Sequence, residues 1–155
     1  MFWRRKQPPF VRPPSPRKVT LSALGRVQNK VVKPRPHGWA GVESTIVVEP
    51  PFVPMLLGLD RYSHVIVTFS MDLAEAAPGK PEQVTLKSGH RYGILATRSQ
   101  LRPNHLGVSA VRLLGVDGAE VRVLGLDAID GTAVLDIKPY LPEYDSHPSA
   151  TIPQE

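Results

Sequence analysis

Between residues 93 and 146 the chain sets Arg98, Arg102, Asn104, Asp127, Asp130, Asp136 and Lys138 beside strand-like apolar runs. Such groups are costly to bury unless paired, so their clustering points to a site built where strands end. In TRSQLRPNHLG (97–107), Pro103 restricts Arg102 to extended backbone. Asn104 offers a two-way amide and tolerates unusual backbone angles, and Gly107 permits close backbone approach. Two forked cations on such a loop suit a carboxylate or a phosphate. The same arginines also suit a structural role, paired with Asp127, Asp130 or Asp136. In LGLDAIDGTAVLDIKPY (124–140), Asp127 and Asp130 flank a turn and suit a cation, a ribose diol or an ammonium group. Asp136 and Lys138 stand two apart on one strand side, the spacing of a surface salt bridge.

The elements that must position these residues read as β-structure. Strands are expected at Leu21–Gln28, Ser44–Glu49, Tyr62–Met71, Tyr92–Thr97, Gly107–Val116, Glu120–Leu126 and Ala133–Ile137. The clearest is Tyr62–Met71: Val65, Val67, Phe69 and Met71 share one face, and His64, Ile66, Thr68 and Ser70 the other. Asp117-Gly118 reads as a tight hairpin turn. Residues 52–60 read as a short helix or turn, and residues 30–41 and 74–90 as connecting segments. Hairpin spacing of six or seven strands predicts an all-β fold, an antiparallel sheet closed into a small barrel with short helical turns.

The chain has 155 residues, enough for one domain with a real core. It has no Cys, which removes disulfides, thiolate metal sites and Cys nucleophiles. No apolar run approaches the ~20 residues of a membrane span. The basic start MFWRRK runs into QPPFVRPPSP rather than an apolar stretch, which argues against a secretory signal and for a cytoplasmic location. The net charge of +5 is unevenly placed. Residues 1–18 hold six basic residues and no acid, leaving 13 Lys and Arg against 14 Asp and Glu in the rest. The expected organisation is a disordered, basic, Pro-rich tail at 1–18, a barrel domain at 19–146 and a flexible tail at 147–155. The basic tail reads as a solvated leader, as an arm that adds non-specific phosphate affinity, or, on a weaker signal, as a Pro-motif ligand for a partner.

GxGxxG, P-loop, GxSxG and HExxH patterns are absent. No metal is expected: Asp127 and Asp130 lack a third ligand at a familiar spacing, and no His pair has zinc spacing. His64, inside the clearest strand, reads as a histidine satisfied by a core or intersheet hydrogen bond. His37 and His105 are loop residues near the proposed site, and His90 and His147 face solvent.

ATRSQLRPNHLGVS (96–109), GLDAIDGTAVLDIKPYLPEYDS (125–146) and GLDRYSHVIVTFSMD (58–72) resemble three ordered signatures of the TrmO/TsaA-like (YaeB) family; VKPRPHGW matches more loosely. The resemblance covers about residues 20–146. It implies a single-sheeted β-barrel working as a homodimer, with the cofactor site near the dimer interface. It implies an S-adenosylmethionine-dependent methyltransferase acting on N6 of threonylcarbamoyladenosine beside the anticodon of tRNA. Open alternatives are the same fold acting on another RNA or a small molecule, and a non-catalytic module that binds adenosylmethionine or RNA.

Carried over by motif, the resemblance implies cofactor contacts from Met71, Asp72, Arg98, Val108, Leu124, Gly125, Leu126 and Asp127, with the loop Arg35, Pro36, His37 covering the pocket. Arg98 suits the methionine carboxylate, and Asp72 or Asp127 the amino group or ribose. Asp127 or Asp130 is the candidate base, and Asn104 is counted with them in the catalytic set. Arg102, Asn104, Lys138 and Tyr140 are expected to orient the substrate, with ordinary packing an alternative for Tyr140. His105 and Ala133 stand where the family pattern has Pro, and both changes are expected to loosen their loops. The chain also ends near the barrel, without the C-terminal extension of longer bacterial members.

Overall fold

The computed structural model describes residues 9–74, 79 and 81–154. The described residues hold eight strands: β1 Gly25–Gln28, β2 Glu43–Val48, β3 His64–Ser70, β4 Gln83–Thr85, β5 Arg91–Gly93, β6 Leu106–Asp117, β7 Glu120–Leu124 and β8 Ala133–Pro139. Six of them close an antiparallel barrel in the order β1-β2-β7-β6-β3-β8, and β4 pairs with β5 as a separate ribbon. The closed antiparallel barrel expected from the sequence is therefore the observed architecture.

Period-2 alternation is the cause. Val65, Val67 and Phe69 on β3 point inward, and Val27, Ile46, Val48, Val111, Val121, Val123 and Val134 meet them from the other strands. Fully burying one such side chain contributes about 1.5–3 kcal/mol, and Val27, Ile46, Val65, Val67, Val121, Val123 and Val134 are completely shielded. β8 shifts register against β3 between Thr68 and Phe69. β6 shifts against β7 between Leu113 and Gly115. Such bulges sharpen the local twist a small barrel needs. The β6–β7 loop is Gly118-Ala119, with Asp117 paired to Glu120 and Gly118 at φ 57.

Four local expectations need correction. Leu21–Leu24 is not strand; β1 begins at Gly25, although the Leu24 amide donates to the Val134 carbonyl at 2.7 Å. Tyr92–Thr97 is not one strand: β5 stops at Gly93 and a 3-10 turn covers Ile94–Ala96, with the Thr97 amide returning to the Ile94 carbonyl. The connector at 74–90 supplies β4, the partner of that short strand. His64 is exposed, because it falls on the outward phase of β3; its Nδ1 lies 2.9 Å from Ser63 Oγ. The turn at 52–60 is present as 3-10 helix over Pro50–Leu56 and Leu59–Arg61.

Residues 9–22 are exposed and contain no strand or helix, and after a single helical turn at Pro142–Asp145 residues 147–154 hold only a turn. The expectation for the basic tail falls partly on residues 1–8, which lie outside the described residues, as do 75–78 and 80 of the connector. Among the described residues, no helix is long and apolar enough to cross a membrane.

Candidate functional site

Barrel closure brings one set of strand ends together. β1, β3 and β7 finish where β2, β6 and β8 begin, as the pairs Gln28–Thr45, Ser70–Leu106, Glu43–Leu124 and Arg26–Ala133 record. At this mouth lies a cavity of about 530 Å³. Pocket volumes of roughly 300–1,000 Å³ accommodate drug-sized ligands. Four segments wall it, from the Pro34–Trp39 loop (Pro34, Arg35, Pro36 and Trp39), Ser70–Ala74, Arg98–Gln100 and Asp127–Ile129; the largely buried Phe69 and Thr132 complete the lining.

Each wall is held by identifiable bonds. Arg35 lies over the Trp39 ring at 4.8 Å and donates from Nη2 to the Gly38 carbonyl at 2.6 Å. Trp39 Nε1 returns a bond to the Arg35 carbonyl at 3.1 Å, so residues 35–39 are tied to one another. Arg98 donates from Nη2 to the Val108 carbonyl at 3.0 Å. A guanidinium carries five N–H donors, so the fork keeps capacity for an anion. In the wall from Asp127 to Ile129, the Asp127 carboxylate accepts a hydrogen bond from the Ser109 hydroxyl. Gly125, at φ 92, turns the chain in a conformation that favours glycine and donates its amide to the Val42 carbonyl. Leu126 is fully buried in the core. Turn and anchor together project Asp127 onto the rim.

The cavity gathers Arg35, Pro36, Met71, Asp72, Arg98 and Asp127 from the residues expected to hold a cofactor. His37 is exposed outside its lining; Val108 takes part through its carbonyl, and Leu124 through Leu126 form the backbone leading to Asp127. The catalytic candidates separate. Asp127 lines the cavity, whereas Asp130 does not: its Oδ1 accepts the Asn29 amide at 3.1 Å. Arg102 donates to the Thr97 carbonyl at 2.8 Å and so closes its own loop. Neither loop arginine pairs with an acid; among the described residues the salt bridges are Arg122–Glu43 and Lys138–Asp136. Asn104 is exposed at φ 65, outside the cavity lining.

Lys138 and Tyr140 lie toward the other end of the barrel. Lys138 pairs with Ile66, and the Tyr140 amide donates to the His64 carbonyl, whose ring stands 6.3 Å from the Tyr140 ring. That end of β3 is about 20 Å from Ser70 at ~3.3 Å per residue. A substrate-orienting role for these two therefore requires a substrate, or a second copy of the chain, that reaches around the barrel.

His105 ties its loop rather than loosening it. Its carbonyl accepts the Met71 amide at 2.7 Å, and its Nδ1 donates to the Gln100 carbonyl at 3.0 Å. At φ 48 it holds a backbone conformation that proline cannot adopt. Sequence reading missed Trp39, Leu73, Gln100 and Ile129, all of which line the cavity. A Trp inside a Pro/Gly loop was the available signal for the first; the others are ordinary residue types carried there by closure. Among the described residues, no three His, Cys, Asp or Glu gather as a metal site.

Comparison with known proteins matches this arrangement to one family. A protein of Pyrococcus abyssi named as a probable S-adenosyl-L-methionine-binding protein is 38% identical over 104 residues, spanning 67% of this chain and 55% of that protein. The human tRNA (adenine(37)-N6)-methyltransferase is 40% identical over 95 residues, spanning 59% of this chain and 21% of the human protein. The crystal structure of TrmO from Pseudomonas aeruginosa superposes with a TM-score of 0.69 at 33% identity, covering 86% of this chain and 61% of that one. The chain thus corresponds to only part of these relatives. The model of the tRNA-methyltransferase O N-terminal domain matches residues 26–146, which hold the barrel from Arg26 in β1 through β8 and the cavity at its mouth, so the chain belongs to that family.

Proposed function

We propose that the cavity binds S-adenosylmethionine and that the protein methylates N6 of threonylcarbamoyladenosine beside the anticodon of tRNA. The observation that carries this reading is the cavity's polarity. Arg35, Arg98, Asp72 and Asp127 line the cavity together with apolar surface from Phe69, Met71, Leu73 and Ile129. That donor set fits a ligand with a carboxylate, an ammonium group, a ribose diol and a planar base. The names of the relatives support S-adenosylmethionine as ligand and N6 of a tRNA adenine as the methylated atom.

Arg98 holds the carboxylate through its remaining N–H groups, Asp72 takes the amino group or the ribose, and Asp127 offers its carboxylate to the positively charged sulfonium. S-adenosylmethionine, when bound, supplies an electrophilic methyl group. The chain's task is then to align a nitrogen nucleophile and exclude competing geometries. The nitrogen must lose its proton; Asp127, kept in place by Ser109 and lining the cavity, is the carboxylate assigned to take it. Asp130, already bonded to the Asn29 amide, is assigned a structural role.

Nucleoside mass spectrometry of tRNA from cells with and without the gene tests the substrate. The methylated threonylcarbamoyladenosine should disappear with the gene. An unchanged profile, with S-adenosylmethionine still bound in calorimetry, moves the activity to another substrate, and absence of binding removes the reading altogether.

A homodimer fits the outer face of β3 and β6. Leu106, Val108 and Ala110 are exposed there beside half-buried Ile66, and this face begins at the carbonyl that receives Arg98. Sedimentation should give twice the chain mass, and Val108→Lys should return it to the monomer value; a monomeric parent protein overturns the assignment. A cytoplasmic place of action follows from tRNA as substrate.

A further inference from the structure

Asn29 lies just beyond β1, outside the cavity lining, yet it makes four hydrogen bonds, one to the lining residue Ala128 and the others to Ser44, Val31 and Asp130. Its Nδ2 donates to the Ala128 carbonyl at 2.8 Å and to Ser44 Oγ at 2.9 Å. Its Oδ1 accepts the Val31 amide at 2.9 Å, and its own amide donates to Asp130 Oδ1 at 3.1 Å. The Asp130 amide then donates to the Val31 carbonyl at 2.8 Å, and the Gly131 amide to the Val27 carbonyl at 2.7 Å. One side chain therefore joins the end of β1, the buried start of β2 and the 125–132 loop.

We propose that Asn29 is the positioning residue for two walls of the pocket, the Asp127–Ile129 wall and the root of the Pro34–Trp39 loop. This rests on the reading of the cavity as a ligand site. The chemistry of the amide is specific to the place. Both Nδ2 hydrogens are used on different acceptors while the oxygen accepts, a combination that neither a carboxylate nor a hydroxyl reproduces. Ser44 is 1% exposed. A buried hydroxyl without a partner is costly, which gives the network its rigidity. Asp127 itself is exposed; Ser109 holds its carboxylate, the Gly125 turn and buried Leu126 fix the backbone before it, and Asn29 fixes the backbone after it at Ala128. Removing the amide would leave the pocket's residues present and their spacing unset.

The test is Asn29→Asp, which retains the shape and an acceptor for Val31 but sets a carboxylate against the Ala128 carbonyl. Amide hydrogen exchange should rise at least about tenfold over 31–39 and 125–132, with β3 and β6 unchanged. Affinity for S-adenosylmethionine should fall at least about tenfold by calorimetry. The same change made in an Asp127→Ala background should weaken binding less than about threefold, because residues acting through one another are not additive. Uniform or unchanged exchange, or an equal affinity loss in both backgrounds, overturns the proposal. If the parent protein does not bind S-adenosylmethionine, the ligand assignment fails, and the exchange measurement still decides the role of Asn29. Where Asn29→Asp does not yield folded protein, Asn29→Ser carries the same measurements; failure of both to fold overturns the proposal, since the network would then be required by the barrel and not by the pocket.

Discussion

Replacing Arg98 with Ala is expected to weaken S-adenosylmethionine binding roughly 10- to 150-fold, the equivalent of the ~1.5–3 kcal/mol contributed by hydrogen bonds to charged groups. The size of the effect follows from two roles in one side chain. Nη2 is fixed on the Val108 carbonyl at 3.0 Å, and the remaining donors border the cavity. A guanidinium anchored at one corner presents its free edge without a further loss of rotamer freedom. Arg98→Lys separates charge from geometry. It keeps the cation and loses the fork, so its affinity should lie between that of the parent protein and the Ala variant. The melting temperature should shift little for both variants, because Arg98 is exposed and one bond to an exposed carbonyl contributes little to folding. Calorimetry on the three proteins makes the comparison. If Arg98→Ala binds with the affinity of the parent protein, Arg98 is a brace for β6 and the carboxylate-binding role passes to Arg35.

The barrel was legible because its cause is local and repeated. Val65, Val67 and Phe69 declare the inward phase of β3 in sequence, and the same alternation recurs in the strands it meets. The mouth was legible in part. Arg98 and Asp127 stand out because charges at strand ends are unusual, and closure did bring them to one cavity. Lys138 and Tyr140 show the limit of that reasoning. They are close to Asp130 and Asp136 in sequence, but β8 runs the length of the barrel and carries them toward its other end. Proximity along a strand is distance in space. Asp127 and Asp130 could not be ranked from spacing, since both flank one turn; the fold separates them by bonding Asp130 to the Asn29 amide. Asn29 had no sequence signal, because an Asn after a strand is an ordinary turn residue until its partners from β2 and the 125–132 loop are known. His105 was misread for a related reason. Loss of a proline removes one restraint, and the hydrogen bond from His105 to Gln100 supplies another.

Replacing Gly107 with Ala is expected to be the most damaging single-methyl change at the site. Gly107 faces Phe69 across the β3–β6 pair, and the aromatic ring occupies the space a side chain would need. An added Cβ would stand 2.3 Å from Phe69 Cε2 and 2.4 Å from Cζ. The Gly107 backbone is not among the positive-φ positions, so the obstacle is the ring alone and alanine itself is not strained there. Phe69 is 3% exposed and cannot swing into solvent without abandoning the core. Overpacking of this kind costs about 1–3 kcal/mol, which for a chain of this size lowers the melting temperature by roughly 2–12 °C. Because Phe69 also lines the cavity, the displaced ring should reduce S-adenosylmethionine affinity in the same variant. Phe69→Leu supplies the discriminating partner: it should destabilise the parent protein by leaving space over Gly107, and should restore part of the melting temperature when combined with Gly107→Ala. Additive losses in the double variant, or a Gly107→Ala protein that melts and binds like its parent, would show that ring and glycine do not share that space. Recovery by a smaller ring-site residue would establish that the close approach of β6 to Phe69 shapes the cavity lining that carries the charged residues.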